Sequence, residues 1–174
     1  MKKFFNYKNN RGVTLVELLV AIAIMGVISV LIFANYHYGD KQMELDMQTQ
    51  RFVQDVRRVQ EWALSARDFG AGAKKGYGIY VNIGQPNTYI LYTDNNDNKS
   101  YDAGEAQETI TLNNNIEISN ADNSPLSINF SPPNPTTLMN NDANIGAAAI
   151  TFRIKGTART CVISINRTGL VYVQ

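Results

Sequence analysis

The chain contains one cysteine, Cys161, and one histidine, His37, among its 174 residues. A single cysteine excludes a disulfide within the chain. The two residues lie far apart in the sequence, so neither zinc-ligand spacing nor a cysteine–histidine nucleophile is indicated. A glycine-rich phosphate-binding loop is also missing. The sequence therefore predicts that the protein is not an enzyme.

Charge is scarce overall but unevenly placed. The net charge of +1 gives no indication of a polyelectrolyte partner for the chain as a whole. Acidic residues are absent beyond Asp142, where four basic residues remain: Arg153, Lys155, Arg159 and Arg167. A second basic group (Lys2, Lys3, Lys8 and Arg11) precedes a long apolar run.

The apolar run extends from Val13 to Ala34 and is interrupted by one carboxylate, Glu17. As a helix it would be about 33 Å long, enough to cross a bilayer. The basic flank predicts that the N-terminus stays in the cytoplasm and that the rest of the chain lies outside. A secretory signal peptide fits poorly, because the run is too long and lacks a small-residue cleavage site. A permanent anchor explains the length but not Glu17.

The segment "RGVTLVELLVAIAIMGVISVLI" resembles the leader and N-terminal helix of type IV prepilins and type II secretion pseudopilins. Gly12, Val13, Thr14, Leu15 and Glu17 occupy the positions of that family's pattern. The resemblance implies that residues 1–12 are a leader removed by a prepilin peptidase between Gly12 and Val13, and that the new amine of Val13 is methylated. It also implies that Glu17 pairs with the amine of a neighbouring subunit. Val13 stands where phenylalanine is commoner, and the family's helix-kinking proline is missing.

A second helical pattern follows in residues 35–70, where apolar residues recur at helical spacing: Leu45, Phe52, Val56, Val59, Ala63 and Ala66. The opposite face is predicted to hold Gln54, Asp55, Arg57, Arg58 and Glu61, and Gly70 and Gly72 are predicted to end the helix. We expect one helix from Val13 to about Arg67, with residues 13–34 in the membrane and the later half packed on a globular domain. His37 lies between two tyrosines and is read as an interfacial polar residue.

Residues 71–174 switch to the period of β-strands. Strands are predicted at 77–83, 88–93, 110–112, 116–118, 126–130, 148–154, 160–165 and 170–173, with "SPPNPTTLMNNDANIG" as a loop because of its prolines. The predicted fold class is α+β: pilin-like, with a long N-terminal helix packed on a C-terminal antiparallel β-sheet domain. The segments "LSARDFG", "LYTDNNDNKSYDAGE" and "CVISINRTGLVYV" resemble the GspH/FimT group of minor pseudopilins.

The loop "DNNDNKSYDAGE" matches the calcium-loop template at six positions: Asp94, Asn96, Asn98, Ser100, Asp102 and Glu105. Lys99 occupies the position that is normally glycine. A polar hairpin loop without a metal is the other interpretation, and both stay open. No other cofactor is indicated.

The resemblance implies a structural subunit of a type IV pilus or a type II secretion pseudopilus. Its partners would be other pilin or pseudopilin subunits, the prepilin peptidase, an inner-membrane assembly platform and membrane lipid. It would be a single-pass inner-membrane protein before it enters a filament. One alternative is a DNA-binding minor pilin at a filament tip that uses Arg153, Lys155, Arg159 and Arg167, although the Gly-Arg-x-Arg tail of such proteins is missing. A major pilin is the other alternative.

Overall fold

The computed structural model describes residues 12–70, 75–132 and 136–174, without the side chains of residues 34–39. It divides into two compact units, Met1–Asp40 and Lys41–Gln174. The leader residues 1–11, the predicted helix end at Gly72, the loop prolines Pro133 and Pro135, and the side chain of His37 lie outside this description.

One α-helix, α1, extends over Leu15–Leu64. It begins two residues later and ends three residues earlier than the sequence predicts. Its first part belongs to the first unit and its remainder, from Lys41, to the second. The backbone stays helical through Asn35 and Gly39.

A Schellman motif ends α1, and Ala66 occupies its left-handed position with φ of 45°. The amide of Arg67 donates to the carbonyl of Trp62 at 3.0 Å, and the amide of Ala66 donates to the carbonyl of Ala63 at 3.3 Å. These two bonds satisfy carbonyls that a helix end otherwise leaves free. The prediction that Gly70 ends the helix was therefore wrong. Ala66 is exposed instead of continuing the buried stripe, because it lies beyond the last helical turn.

The second unit contains nine strands, all paired antiparallel. They are β1 Gly76–Val81, β2 Thr88–Asp94, β3 Ala106–Thr111, β4 Ile116–Ala121, β5 Leu126–Ser131, β6 Thr136–Met139, β7 Ala147–Ile154, β8 Thr160–Asn166 and β9 Val171–Val173. They form a five-stranded sheet in the order β3-β2-β1-β5-β6 and a four-stranded sheet in the order β4-β7-β8-β9.

This architecture confirms the α+β class and every predicted strand. The loop prediction for residues 131–146 was wrong in one part, because Thr136–Met139 forms β6 and pairs with β5. Proline excludes a central strand but not an edge strand, and β6 is at the edge of its sheet. The side chains of Thr137 and Met139 alternate inward and are buried.

The apolar face of α1 packs against both sheets within the second unit. The Phe52 ring lies 5.0 Å from the Tyr89 ring of the five-stranded sheet and 5.3 Å from the Phe152 ring of the four-stranded sheet. The predicted stripe is confirmed at Leu45, Phe52, Val56, Val59 and Ala63, all of which are fully buried. Burial of a leucine, phenylalanine or valine side chain stabilises the fold by about 1.5–3 kcal/mol.

Asp55 was predicted to lie on the solvent face, but it is only 7% exposed. Its carboxylate accepts a hydrogen bond of 2.5 Å from the Tyr89 hydroxyl and an ion pair of 3.0 Å from Arg58. Arg58 also contacts Glu108 of β3 at 2.7 Å. The side chain of Asp55 thus links α1 to the five-stranded sheet. Helical periodicity missed it because a buried carboxylate with partners has the same sequence signature as an exposed one.

Candidate functional site

The start of α1 is a capping box built by Thr14 and Glu17. The Thr14 hydroxyl accepts a hydrogen bond from the amide of Glu17 at 3.2 Å, and the Glu17 carboxylate accepts one from the amide of Thr14 at 3.5 Å. These bonds provide acceptors for two backbone amides that have no partner within the helix. Threonine followed three residues later by glutamate is the usual sequence signal of a capping box, but this one was not predicted. Glu17 therefore has a local role before any partner is considered.

Gly12 and Val13, the residues of the predicted cleavage site, lie just ahead of this cap. Both are exposed. A Cβ atom built on Gly12 would meet no atom within 4 Å, and its φ lies outside the left-handed region that favours glycine. The described part of the fold therefore gives no steric or conformational reason for glycine at this position.

Leu15–Phe33 form the segment of α1 that is apolar enough to cross a membrane, with a mean hydropathy of 2.8. Its side chains are exposed along the whole segment. The one interior hydroxyl, on Ser29, donates to the carbonyl of Met25 at 2.8 Å, so it needs no water. A helix that is apolar on all sides is stable only when lipid or other protein covers it.

The six predicted calcium ligands lie in or beside the loop between β2 and β3. The Asp94 side chain is fully buried and accepts hydrogen bonds from the amides of Asp97 and Lys99 at 2.7 and 3.0 Å. The Glu105 carboxylate accepts from the amides of Asn95 and Asp102 at 2.8 and 3.1 Å. Both carboxylates therefore order the loop backbone directly.

The middle of the loop uses the other predicted ligands. One oxygen of Asp102 accepts from the side-chain amides of Asn96 and Asn98, at 2.7 and 2.6 Å. The amide of Ser100 donates to the Asn98 side chain at 2.9 Å. Among the described residues, no group of three or more histidine, cysteine, aspartate or glutamate side chains has metal-binding geometry. Calcium binding to this loop therefore stays a prediction.

Lys99 adopts the left-handed backbone that the calcium-loop template reserves for glycine, with φ of 61°. Its ammonium forms an ion pair with Asp97 and lies 4.0 Å from an oxygen of Asp94. The hydrogen bond from Lys99 lowers the pKa of Asp97. This positive charge would compete with a cation for the same carboxylates.

The four basic residues of the DNA hypothesis are not gathered on one surface. Arg153 is paired with Glu117 of β4 at 2.5 Å, which neutralises it. Lys155 and Arg159 lie at the β7–β8 turn, and Arg159 donates to the Gln42 side chain at 3.2 Å. Arg167 lies at the other end of β8, about 26 Å away along the strand. DNA binding stays a prediction without a continuous basic surface to support it.

The comparisons with known proteins agree with the N-terminal features. Residues 7–33 match the family described as the prokaryotic N-terminal methylation motif. The match covers Gly12, Val13, Thr14 and Glu17 together with the membrane-crossing segment. No curated protein and no solved structure matches the chain. The chain thus has a type IV pilin-like N-terminus, followed by an α+β domain whose relatives the comparisons do not identify.

Proposed function

We propose that this protein is a structural subunit, a minor pilin or pseudopilin, of a type IV pilus or a type II secretion pseudopilus. The observation that carries the proposal is the methylation motif at residues 7–33, which includes the apolar helical segment Leu15–Phe33, whose side chains no other described residue covers. Lipid would cover that helix before assembly, and the helices of neighbouring subunits would cover it in a filament.

Processing by a prepilin peptidase between Gly12 and Val13 accounts for the glycine. Since a side chain at Gly12 would meet no described atom, the requirement for a small residue is better explained by an enzyme that must bind the site. Cleavage would turn the amide nitrogen of Val13 into a positively charged amine, which methylation would leave positive. This amine would lie one helical turn from the Glu17 carboxylate in the same chain.

Glu17 would then serve two roles. It caps its own helix in the isolated chain, as the bonds with Thr14 show. A carboxylate in a dry bundle of apolar helices also requires a charged partner, and the Val13 amine of a neighbouring subunit would supply it. The hydrogen bond from Thr14 to the carboxylate is long, at 3.5 Å, so little is lost if the side chain turns toward that amine.

The proposal implies a location and a set of partners. The basic leader would remain in the cytoplasm, and the β-sheet domain would lie outside the inner membrane. The peptidase, the assembly platform, lipid and other subunits would contact the chain in turn. Assignment to the GspH/FimT group rests on the sequence resemblance of the helix end, the β2–β3 loop and the C-terminal strands.

Mass spectrometry of the N-terminal peptide, in membranes and in sheared filaments, tests the proposal. We expect a methylated peptide that begins at Val13 and is far more abundant in membranes than in filaments. An unprocessed start at Met1 would refute it. A peptide that dominates the filament fraction would identify a major pilin instead.

Two variants separate the capping role of Glu17 from the pairing role. Glu17→Gln keeps an oxygen that can cap the helix but removes the charge, so we expect normal processing and loss of the protein from filaments. Thr14→Val removes the capping hydroxyl and keeps the carboxylate, so we expect filaments to form. Equal incorporation of Glu17→Gln and the unmodified protein would contradict pairing with an amine.

A further inference from the structure

The outer edge of β9 has unpaired backbone groups. Val162 and Gln174 exchange hydrogen bonds of 2.8 and 3.0 Å, and the amide of Asn166 donates to the carbonyl of Leu170 at 3.1 Å. Hydrogen-bonded and non-hydrogen-bonded pairs alternate along an antiparallel ladder, and Ser164 lies opposite Tyr172. The backbone amides and carbonyls of Leu170, Tyr172 and Gln174 therefore point toward β8. The amides and carbonyls of Val171 and Val173 therefore point away from the sheet, where no strand of the described chain pairs with them.

This edge also lacks the usual protection against pairing. Edge strands of monomeric proteins commonly carry a charge or a proline. The residues from Thr168 to Gln174 include neither. Leu170, Tyr172 and Val173 are 51%, 48% and 43% exposed. At the other edge of the same sheet, β4 carries Glu117.

We propose that β9 pairs antiparallel with β9 of a second copy of this chain, about a two-fold axis at Tyr172. In β9, the free backbone amides and carbonyls are those of Val171 and Val173. All of them form hydrogen bonds only in the register that places Val171 of each copy opposite Val173 of the other. Four backbone hydrogen bonds then form, and the two copies of Tyr172 face each other as a non-hydrogen-bonded pair. The two four-stranded sheets become one continuous sheet.

The side chains of β9 suit this register. Val171 and Val173 lie opposite Ile165 and Ile163 of β8, whose side chains are fully buried in the core. The half-exposed Val173 of one copy would be covered by Val171 of the other, which extends the apolar inner face across the axis. Tyr172 lies on the opposite face, where the two rings would meet.

Charge does not oppose the pairing. Arg167, the nearest charged residue before β9, is five residues from the axis. Arg167 lies in the β8–β9 turn beyond Leu170, and antiparallel pairing would hold the two copies of Leu170 about 13 Å apart on opposite sides of the axis. The two turns would therefore lie farther apart than the screening length of about 8 Å at physiological salt. This pairing is independent of the apolar helix and does not require that the chain enters a filament.

Disulfide crosslinking of the full-length protein in detergent tests the register. Cys161→Ser serves as the background, so that each added cysteine is the only one. We expect Tyr172→Cys to form a covalent dimer under mild oxidation at least ten times faster than Thr168→Cys. Thr168 is also exposed, but it lies in the β8–β9 turn beyond Leu170, where the pairing would hold its two copies more than about 13 Å apart, too far for a disulfide. Association through the apolar helix alone would favour neither site.

Val171→Pro, added to the Tyr172→Cys variant, tests the backbone bonds. It removes an outward amide while the bonds of Leu170, Tyr172 and Gln174 to β8 stay in place. We expect the crosslinking rate to fall to that of Thr168→Cys, with unchanged fluorescence of the buried Trp62 as evidence of folding. Equal rates for Tyr172→Cys and Thr168→Cys would overturn the proposal, as would undiminished crosslinking with the proline in place.

Discussion

The contact between Asp55 and Tyr89 offers a direct measure of how firmly α1 is held on the five-stranded sheet. Tyr89→Phe removes the hydroxyl that donates to the Asp55 carboxylate at 2.5 Å and changes little else, because the ring stays against Phe52. Hydrogen bonds to charged groups contribute about 1.5–3 kcal/mol. Asp55 keeps Arg58 as a partner at 3.0 Å, so we expect a loss near the middle of that range, about 2 kcal/mol.

The assay is urea unfolding of the full chain in a mild detergent, followed by the fluorescence of Trp62. This is the only tryptophan, and it is 6% exposed near the end of α1. With a denaturant slope of about 2 kcal/mol per molar, the midpoint should fall by about 1 M. Tyr80→Phe is the matched control, because the Tyr80 hydroxyl accepts only a long bond of 3.3 Å from Asn82. We expect it to change stability by less than about 0.5 kcal/mol.

A double-mutant cycle isolates the contact itself. Asp55→Ala leaves Arg58 and the Tyr89 hydroxyl without their shared acceptor, so it should cost more than Tyr89→Phe alone. The coupling free energy between the two substitutions should be about 1–2 kcal/mol. A coupling near zero, or a Tyr89→Phe variant as stable as the unmodified protein, would refute the claim that this bond holds α1 on the sheet.

Three further outcomes are expected. Ala66→Gly should stabilise the fold by about 0.4–1 kcal/mol in the same assay, because glycine adopts the left-handed helix end without strain; a loss of stability would contradict the assigned motif. Burial raises the pKa of Tyr77, Tyr89 and Tyr92 above the ordinary value of 10.0, so the unfolded chain loses those protons first as the pH rises. The free energy of unfolding should therefore fall above pH 10, by up to about 1.4 kcal/mol per pH unit for each tyrosine. Unfolding curves at pH 9 and 11 check this. Calcium titration followed by calorimetry should give a dissociation constant of about 10⁻⁴–10⁻³ M. Lys99→Gly removes the competing ammonium, so this variant should bind calcium more tightly. The absence of binding heat with both proteins would refute the calcium prediction.

The strands and the buried helix face were predictable because each depends on a short-range period. Alternation located the strands β1 and β2, and helical spacing placed Phe52 and Val56 on the buried face of α1. The loops and the end of α1 were harder to predict. The sequence predicted a loop at β6 because its prolines exclude a central strand, whereas β6 is an edge strand, where proline is tolerated. The helix end was misplaced because alanine, which rarely adopts a left-handed conformation, occupies the position where glycine is usual.

The N-terminal motif could be recognised from the sequence because its parts are contiguous: the basic leader, Gly12, Val13, Glu17 and an apolar run long enough for a bilayer. No tertiary contact is needed to arrange residues such as Gly12, Val13 and Glu17, which lie within six consecutive positions of the sequence. The pilin-like N-terminus, the fold class and the buried face of α1 could thus be predicted from the sequence.

Only the tertiary structure decided which distant polar groups meet. It buried Asp55 against Tyr89, paired Arg153 with Glu117, and separated Arg159 from Arg167 at opposite ends of β8. It also left the amides and carbonyls of Val171 and Val173 free at a sheet edge. These outcomes depend on strand order and register, which long-range pairing sets and which no local period of the sequence encodes.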